Sequence, residues 1–198
     1  MTKEIHIIEQ HPLLPFLPKT AKVLMLGSFP PPQHRWKMNF YYPNFQNDMW
    51  RILGYVFFND KDYFIDVNRK TFNENKIKHF LENQGIAIYD AAEKIRRLQQ
   101  NASDKHLEVI QPTDLKKLLI YLPQCKHIVT TGEKATQLVL KYFNNDSISA
   151  KVGSTHDLTL HGKHLYLHRL PSSSRAYPLP LFEKAQIYKH CFAKIFSD

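Results

Sequence analysis

Four short apolar runs recur along this chain, at residues 23–26, 85–90, 127–131 and 164–168, with helix-length segments between them. Runs of this length that stop at glycine, a carboxylate or a polar turn read as buried strands. Helices are expected between and after them over 48–57, 75–83, 133–143 and 181–196. Two more are expected over 91–100, which is polar and helix-prone, and from Pro112 to about 122 with Thr113 as its cap. Residues 101–109 read as a charged loop. Strand and helix in alternation favour a parallel sheet covered by helices. The expectation is an α/β fold: a three-layer α/β/α arrangement around a central, mostly parallel four-stranded sheet. No repeat or low-complexity tract divides the chain, so residues 1–198 are expected to form one domain, burying about 70% of its unfolded surface.

In such sheets ligands sit at the carboxyl ends of the strands. Those ends here are Gly27-Ser28, Asp90, Thr131-Gly132 and residues 170–175. The first offers backbone N–H groups, the second a fixed acceptor, and the last a serine triplet flanked by Arg169 and Arg175. Such a triplet suits phosphate contact through hydroxyls and backbone amides; alone, it is also an ordinary serine-rich turn. After Gly27 the chain carries three prolines, Pro30 to Pro32, which bar an immediate strand or helix. It then gathers Trp36, Phe40, Tyr41 and Tyr42 with the amides Asn39, Asn44, Gln46 and Asn47. An aromatic- and amide-rich loop at a strand end suits a flat, hydrogen-bonding ligand, or else folds over the core edge and buries its rings.

Composition narrows the partners. Lys plus Arg number 27 against 18 Asp plus Glu, a net +9 that suits a polyanion, though solubility alone also accounts for such charge. Cys125 and Cys191 are too few for an iron–sulfur cluster, a zinc knuckle or a disulfide framework. His164 and His168 share a strand face but lie about 13 Å apart, too far for one ion. No phosphate-binding GxxxxGK[ST] loop is present. Residues 1–10 do not read as a signal peptide, and no run reaches membrane length. A cytosolic setting without cofactor or metal is expected.

Gly27-Ser28-Phe29-Pro30, then Tyr41-Tyr42 and Asn47-Asp48-Met49-Trp50, resemble the first motif of the uracil-DNA glycosylase superfamily, closest to its hypoxanthine-DNA-glycosylase-like branch. Residues 84–90, ending at Asp90, are similar to the segment that carries the base-reading residue. Leu170-Pro171-Ser172-Ser173-Ser174 resembles the second motif. The resemblance runs in order from about Leu14 to Phe192. It departs from the best-known uracil-excising members in three ways: a water-activating aspartate straight after the first strand is absent, Leu170 stands where they carry histidine, and Asp90 stands where they carry asparagine.

The resemblance implies a monofunctional DNA glycosylase that hydrolyses the N-glycosidic bond of a flipped deaminated base, hypoxanthine or uracil. It implies Asn47 as the residue holding the water, with backbone N–H groups of Gly27 and Ser28 receiving charge from the departing base. Phe29, Tyr41, Tyr42 and Asp90 are the implied base-binding residues. Pro171, Ser172, Ser173, Ser174 and Arg175 are the implied DNA contacts, with Arg175 or Tyr177 entering the vacated stack. Double-stranded DNA is the implied partner, met by a monomer at the nucleoid. The residues leave other roles open. Asn47 suits a helix cap before Asp48, Tyr41 and Tyr42 suit the core, and Asp90 suits a cap on a helix at 91–100. A non-catalytic nucleic-acid-binding protein is the alternative function.

Overall fold

The computed structural model describes residues 7–99 and 104–197. Chain order runs β1 (Ile8–Gln10), β2 (Val23–Gly27), α1 (Met49–Phe58), the short strands β3 (Ile65–Asp66) and β4 (Thr71–Phe72), α2 (Glu74–Gln84) and β5 (Ile86–Asp90). It continues with β6 (Ala92–Arg97), β7 (Leu107–Pro112), α3 (Leu115–Ile120), β8 (His127–Thr131) and α4 (Glu133–Tyr142). β9 (Thr155–Leu160), β10 (Lys163–Leu170) and α5 (Leu181–Ser197) complete it.

The central sheet has the order β5-β2-β8-β10-β9. Its first four strands are parallel, and β2, β5 and β8 are buried at every position, as strands covered on both faces must be. All four expected strands are therefore present, but the sheet is five-stranded, not four-stranded. β10 pairs antiparallel with β9 through a two-residue turn, in which His161 and Gly162 both take positive φ, the conformation that matches hairpin twist. β9 escapes notice in the sequence because its THDLTL is mostly solvent-facing.

The helix expected over 91–100 is a correction: residues 92–97 form β6, and the loop expected over 101–109 contains the start of β7. (Residues 100–103 lie outside the described set.) β6 pairs antiparallel with both β1 and β7, and Ala92, Ile95 and Leu107 bury together. Helix propensities differ by only tenths of a kcal/mol per residue, so burial and two ladders of hydrogen bonds outweigh them. A second correction concerns α3, which begins one position later than expected. Asp114 caps it by accepting the Lys117 N–H, while the Thr113 hydroxyl donates to the Asp90 carbonyl.

Chain direction across the sheet decides the layers. β2 connects outward to β5 by α1 and α2, after which the chain crosses back past β2 to β8 and then β10. Right-handed crossovers therefore put α1 and α2 on one face and α3 and α4 on the other. The contacts agree: α5 packs on α1, with Phe57 and Phe192 rings 5.3 Å apart, and Tyr142 of α4 donates to Asp114 at the start of α3. The reversal of direction opens a crevice between the carboxyl ends of β2 and β8, where a ligand can enter.

Candidate active site

A cavity of about 990 Å³ occupies that crevice. Its floor is the set of strand ends: Gly27 and Ser28 after β2, Asp90 at the end of β5, Thr131 and Gly132 after β8, and Leu170 at the end of β10. Asn47 and the segment from Pro171 to Arg175 supply one wall. Asp104 and Lys105, from the turn that leads into β7, supply another. Five cations (Arg35, Lys105, Lys134, Arg169 and Arg175) face three carboxyl groups (Asp90, Asp104 and Glu133) around it, so the rim favours an anionic ligand.

Asp90 is the most constrained of these groups. Only 5% of it is exposed, and its Oδ2 accepts a hydrogen bond from His11 Nε2 at 2.9 Å. His11 reaches it because the N-terminal segment runs along the outer edge of β5, where Phe16 and Ile88 exchange backbone hydrogen bonds. The Tyr89 ring at 4.6 Å and the Phe29 ring at 5.2 Å enclose the imidazole. Asp90 Oδ1 lies on the Gly27 side, where an added Cβ would collide with it and sit 3.1 Å from the Tyr42 hydroxyl. Glycine is required there by close approach. Asp90 caps no helix, because the segment after it is β6.

Tyr42 has φ +50, a conformation that costs a bulky residue on the order of 1–2 kcal/mol. Its hydroxyl bonds Thr131 Oγ1 at 2.7 Å, and Thr131 Oγ1 donates in turn to the Leu26 carbonyl, which leaves Tyr42 as the donor in the pair. Burial, reinforced by the nearby Asp90 charge, holds its phenol pKa well above the usual range. Tyr42 therefore stays a neutral donor. Tyr41 is a different case: it is 2% exposed, donates to the Leu14 carbonyl and packs edge-on against Phe40 at 5.1 Å. It belongs to the core and does not line the cavity.

Asn47 lines the cavity, and its Oδ1 accepts the Met49 N–H at 2.9 Å. The amide therefore satisfies the first turn of α1, while Nδ2 and a second lone pair remain for a ligand or water. The next residue, Asp48, is buried; its N–H donates to the Ser173 carbonyl, and its Oδ1 accepts from Arg175 Nε at 2.9 Å. Lys184, 1% exposed, donates to the Ser174 carbonyl and stands 3.8 Å from Asp48 Oδ2. This network ties the serine loop to the amide loop. The loop also holds itself: Ser172 Oγ accepts from Ser174 N, and Ser174 Oγ from Ala176 N. Ser173 is buried, whereas the Arg175 side chain is 54% exposed.

Ser28 Oγ donates to Asp104 Oδ1 at 2.6 Å, joining two further lining residues. Burial pushes the Asp104 carboxyl pKa up, the Ser28 hydrogen bond counters this, and the Asp90 charge adds to the rise. Of the residues singled out from the sequence, Gly27, Ser28, Phe29, Tyr42, Asn47 and Asp90 thus meet in one cavity with Pro171, Ser172, Ser173, Ser174 and Arg175. Tyr177 also lines it. His11 and Asp104 were missed. His11 carries no local signal, because its partner lies 79 residues away; Asp104 sits in a charged segment that reads locally as a loop, with its partner Ser28 76 residues away.

No family model matches the sequence, and no curated protein matches it significantly. Among solved structures, the chain is similar to a solution NMR structure from Methanosarcina acetivorans of a protein provisionally named a uracil DNA glycosylase. The TM-score is 0.62 at 19% sequence identity, over 96% of this chain and 99% of that one. At that identity the likeness shows a shared α/β fold over nearly the full length of both chains.

Proposed function

We propose that this chain is a monofunctional DNA N-glycosylase of the uracil-DNA glycosylase superfamily, in its hypoxanthine-DNA-glycosylase-like branch. It takes a flipped deaminated base, hypoxanthine or uracil, from double-stranded DNA and acts as a single-domain monomer on the cytoplasmic nucleoid, without metal or cofactor. The observation that carries the reading is the convergence of three sequence-distant segments, 27–29, 47 and 90, with the 171–175 loop around one cation-rimmed cavity. The shared fold with the Methanosarcina acetivorans protein supports it.

The chemistry suits the groups present. Breaking the bond leaves a sugar cation and a base anion, and DNA phosphates supply counter-charge to the first. The backbone N–H of Ser28 receives charge on a base oxygen, as an oxyanion-hole donor does, while the Gly27 N–H is engaged in the β2–β5 ladder. Asn47 positions water but takes up no proton near neutral pH. Asp90 Oδ1 accepts from a base N–H, while His11 holds Oδ2. Ser172, Ser174 and Arg175 grip phosphates beside the extruded nucleotide, whose flipping costs a few kcal/mol, least at a mismatch.

One observation favours the second reading, a nucleic-acid-binding protein without chemistry: Asn47 Oδ1 is engaged by the Met49 N–H, a role that needs no substrate. The deciding experiment measures base release from duplexes carrying hypoxanthine, uracil or xanthine. Glycosylase function predicts free base and an abasic site; binding of the duplexes without release of any base would establish the second reading.

A further inference from the structure

Hydrolysis requires a group that takes a proton from water, and Asn47 cannot be that group. Three carboxyl side chains line the cavity. Glu133 stands at the start of α4 with its side chain 68% exposed and Arg169 Nη2 at 4.0 Å, so it is open to solvent and faces a cation. Asp90 is pinned by His11 and lies at the end of β5, on the side where the base edge is read. Asp104 differs from both. It lines the cavity together with Asn47, and Ser28, a neutral hydroxyl donor, takes its Oδ1, leaving Oδ2 to accept from a water.

We propose that Asp104 is the catalytic base of this site, accepting the proton of the water that attacks C1′, with Ser28 as the residue that aims it. This rests on the glycosylase reading and deepens it. In the step, the water oxygen forms a bond to C1′ as the C1′–N bond breaks. The electron pair of that bond stays on the departing base, and the water proton passes to Asp104 Oδ2. Release of this proton to solvent after the products leave restores the carboxylate. The Ser28 hydrogen bond holds Asp104, on the turn that leads into β7, against the loop that follows β2.

The electrostatics suit the task. The groups that act on Asp104 are Ser28 from the end of β2, Asp90 from β5, Arg97 from β6 and Lys134 from α4; its own turn adds Lys105 and His106. Burial is the largest influence and raises its pKa, Asp90 raises it further, and Ser28, Lys134 and Arg97 lower it. The net rise brings it closer to working pH, where a general base is most effective.

The test is single-turnover base excision across pH by the full chain and its Asp104→Asn variant. Asparagine keeps an oxygen for the Ser28 hydroxyl but cannot take the proton. The expected result is at least ~10²-fold slower excision, unchanged duplex binding, and loss of the acid limb of the wild-type pH–rate profile. Asp104→Glu, which retains the carboxyl, keeps that limb at a shifted pH and carries the test if the asparagine variant fails to fold. Wild-type rates in Asp104→Asn, or slower excision with the acid limb unmoved, overturn the assignment while leaving the glycosylase reading intact. Absence of base release by the wild-type chain overturns both.

Discussion

The side-chain oxygen of Asn47 accepts the Met49 N–H at 2.9 Å, which orients the amide before any substrate arrives. The same bond makes two effects of its loss separable. Asn47→Ala removes a cap, at a cost of about 1 kcal/mol, and, in the proposed function, the group that positions water, which should slow excision about 10²-fold or more. Melting and single-turnover excision are the paired measurements; a lowered Tm with wild-type excision would leave Asn47 a cap only. Asp90 is a sharper case. In the proposed function its carboxylate acts as an acceptor for hypoxanthine N1–H or uracil N3–H and disfavours the bare N1 of adenine, although exocyclic amino groups blunt the discrimination. Asp90→Ala should slow excision of hypoxanthine and uracil by at least ~10-fold, the loss of one buried hydrogen bond to a charged group. It also strands His11 Nε2, whose partner it is, and so lowers stability by about 1–3 kcal/mol without unfolding the chain. Wild-type rates on every deaminated base would remove Asp90 from base reading.

Among the elements, β8, β9 and β10 share a polar row outside the cavity, buried at His127 and His168 and exposed at Thr155. His168 Nε2 bonds His127 Nδ1 at 3.0 Å, and His168 Nδ1 bonds Thr155 at 3.0 Å. Burial first, then the neighbouring His127 and Lys194, lowers the His168 pKa from 6.5 to about 4. The unfolded chain therefore binds a proton at this site that the folded chain refuses between those values. Stability falls as pH drops through that window, by up to about 3 kcal/mol, and levels off below it. Urea unfolding from pH 8 to pH 4 should show this slope, and His168→Gln should flatten it; an unchanged slope would assign the acid sensitivity elsewhere. The elements also differ in how far the sequence reveals them. Buried runs such as VLMLG of β2 and HIVTT of β8 have one stable use. By contrast, AEKIRR of β6 is locally a good helix former, and it becomes a strand because β1 and β7, one on each side, satisfy its backbone.

Across the whole molecule the charge of +9 acquires a direction, because five cations rim the cavity. Arg175 joins that rim with Nε on Asp48 and the rest of its fork free for a phosphate. Arg175→Ala should weaken duplex binding alike for all sequences and reduce the salt slope by about one unit. Lys184, still 3.8 Å from Asp48, keeps the carboxylate from being stranded, so the variant folds. An unchanged slope would move this loop off the DNA. The alternating plan of strands and helices, and the placing of Gly27, Ser28 and Asp90 at strand ends, were legible in the sequence, whereas Asn47, in the loop before α1, came from the family resemblance. Parallel strands all point one way and bring their ends to one edge of the sheet, whatever the loops do. The pairing of His11 with Asp90 and of Ser28 with Asp104 was decided only by the tertiary structure, across separations of 79 and 76 residues. So was the removal of Tyr41 to the core while Tyr42 lines the cavity. Local sequence encodes burial and turn preference, whereas which distant polar groups meet depends on how sheet edges and loops pack once the core has formed.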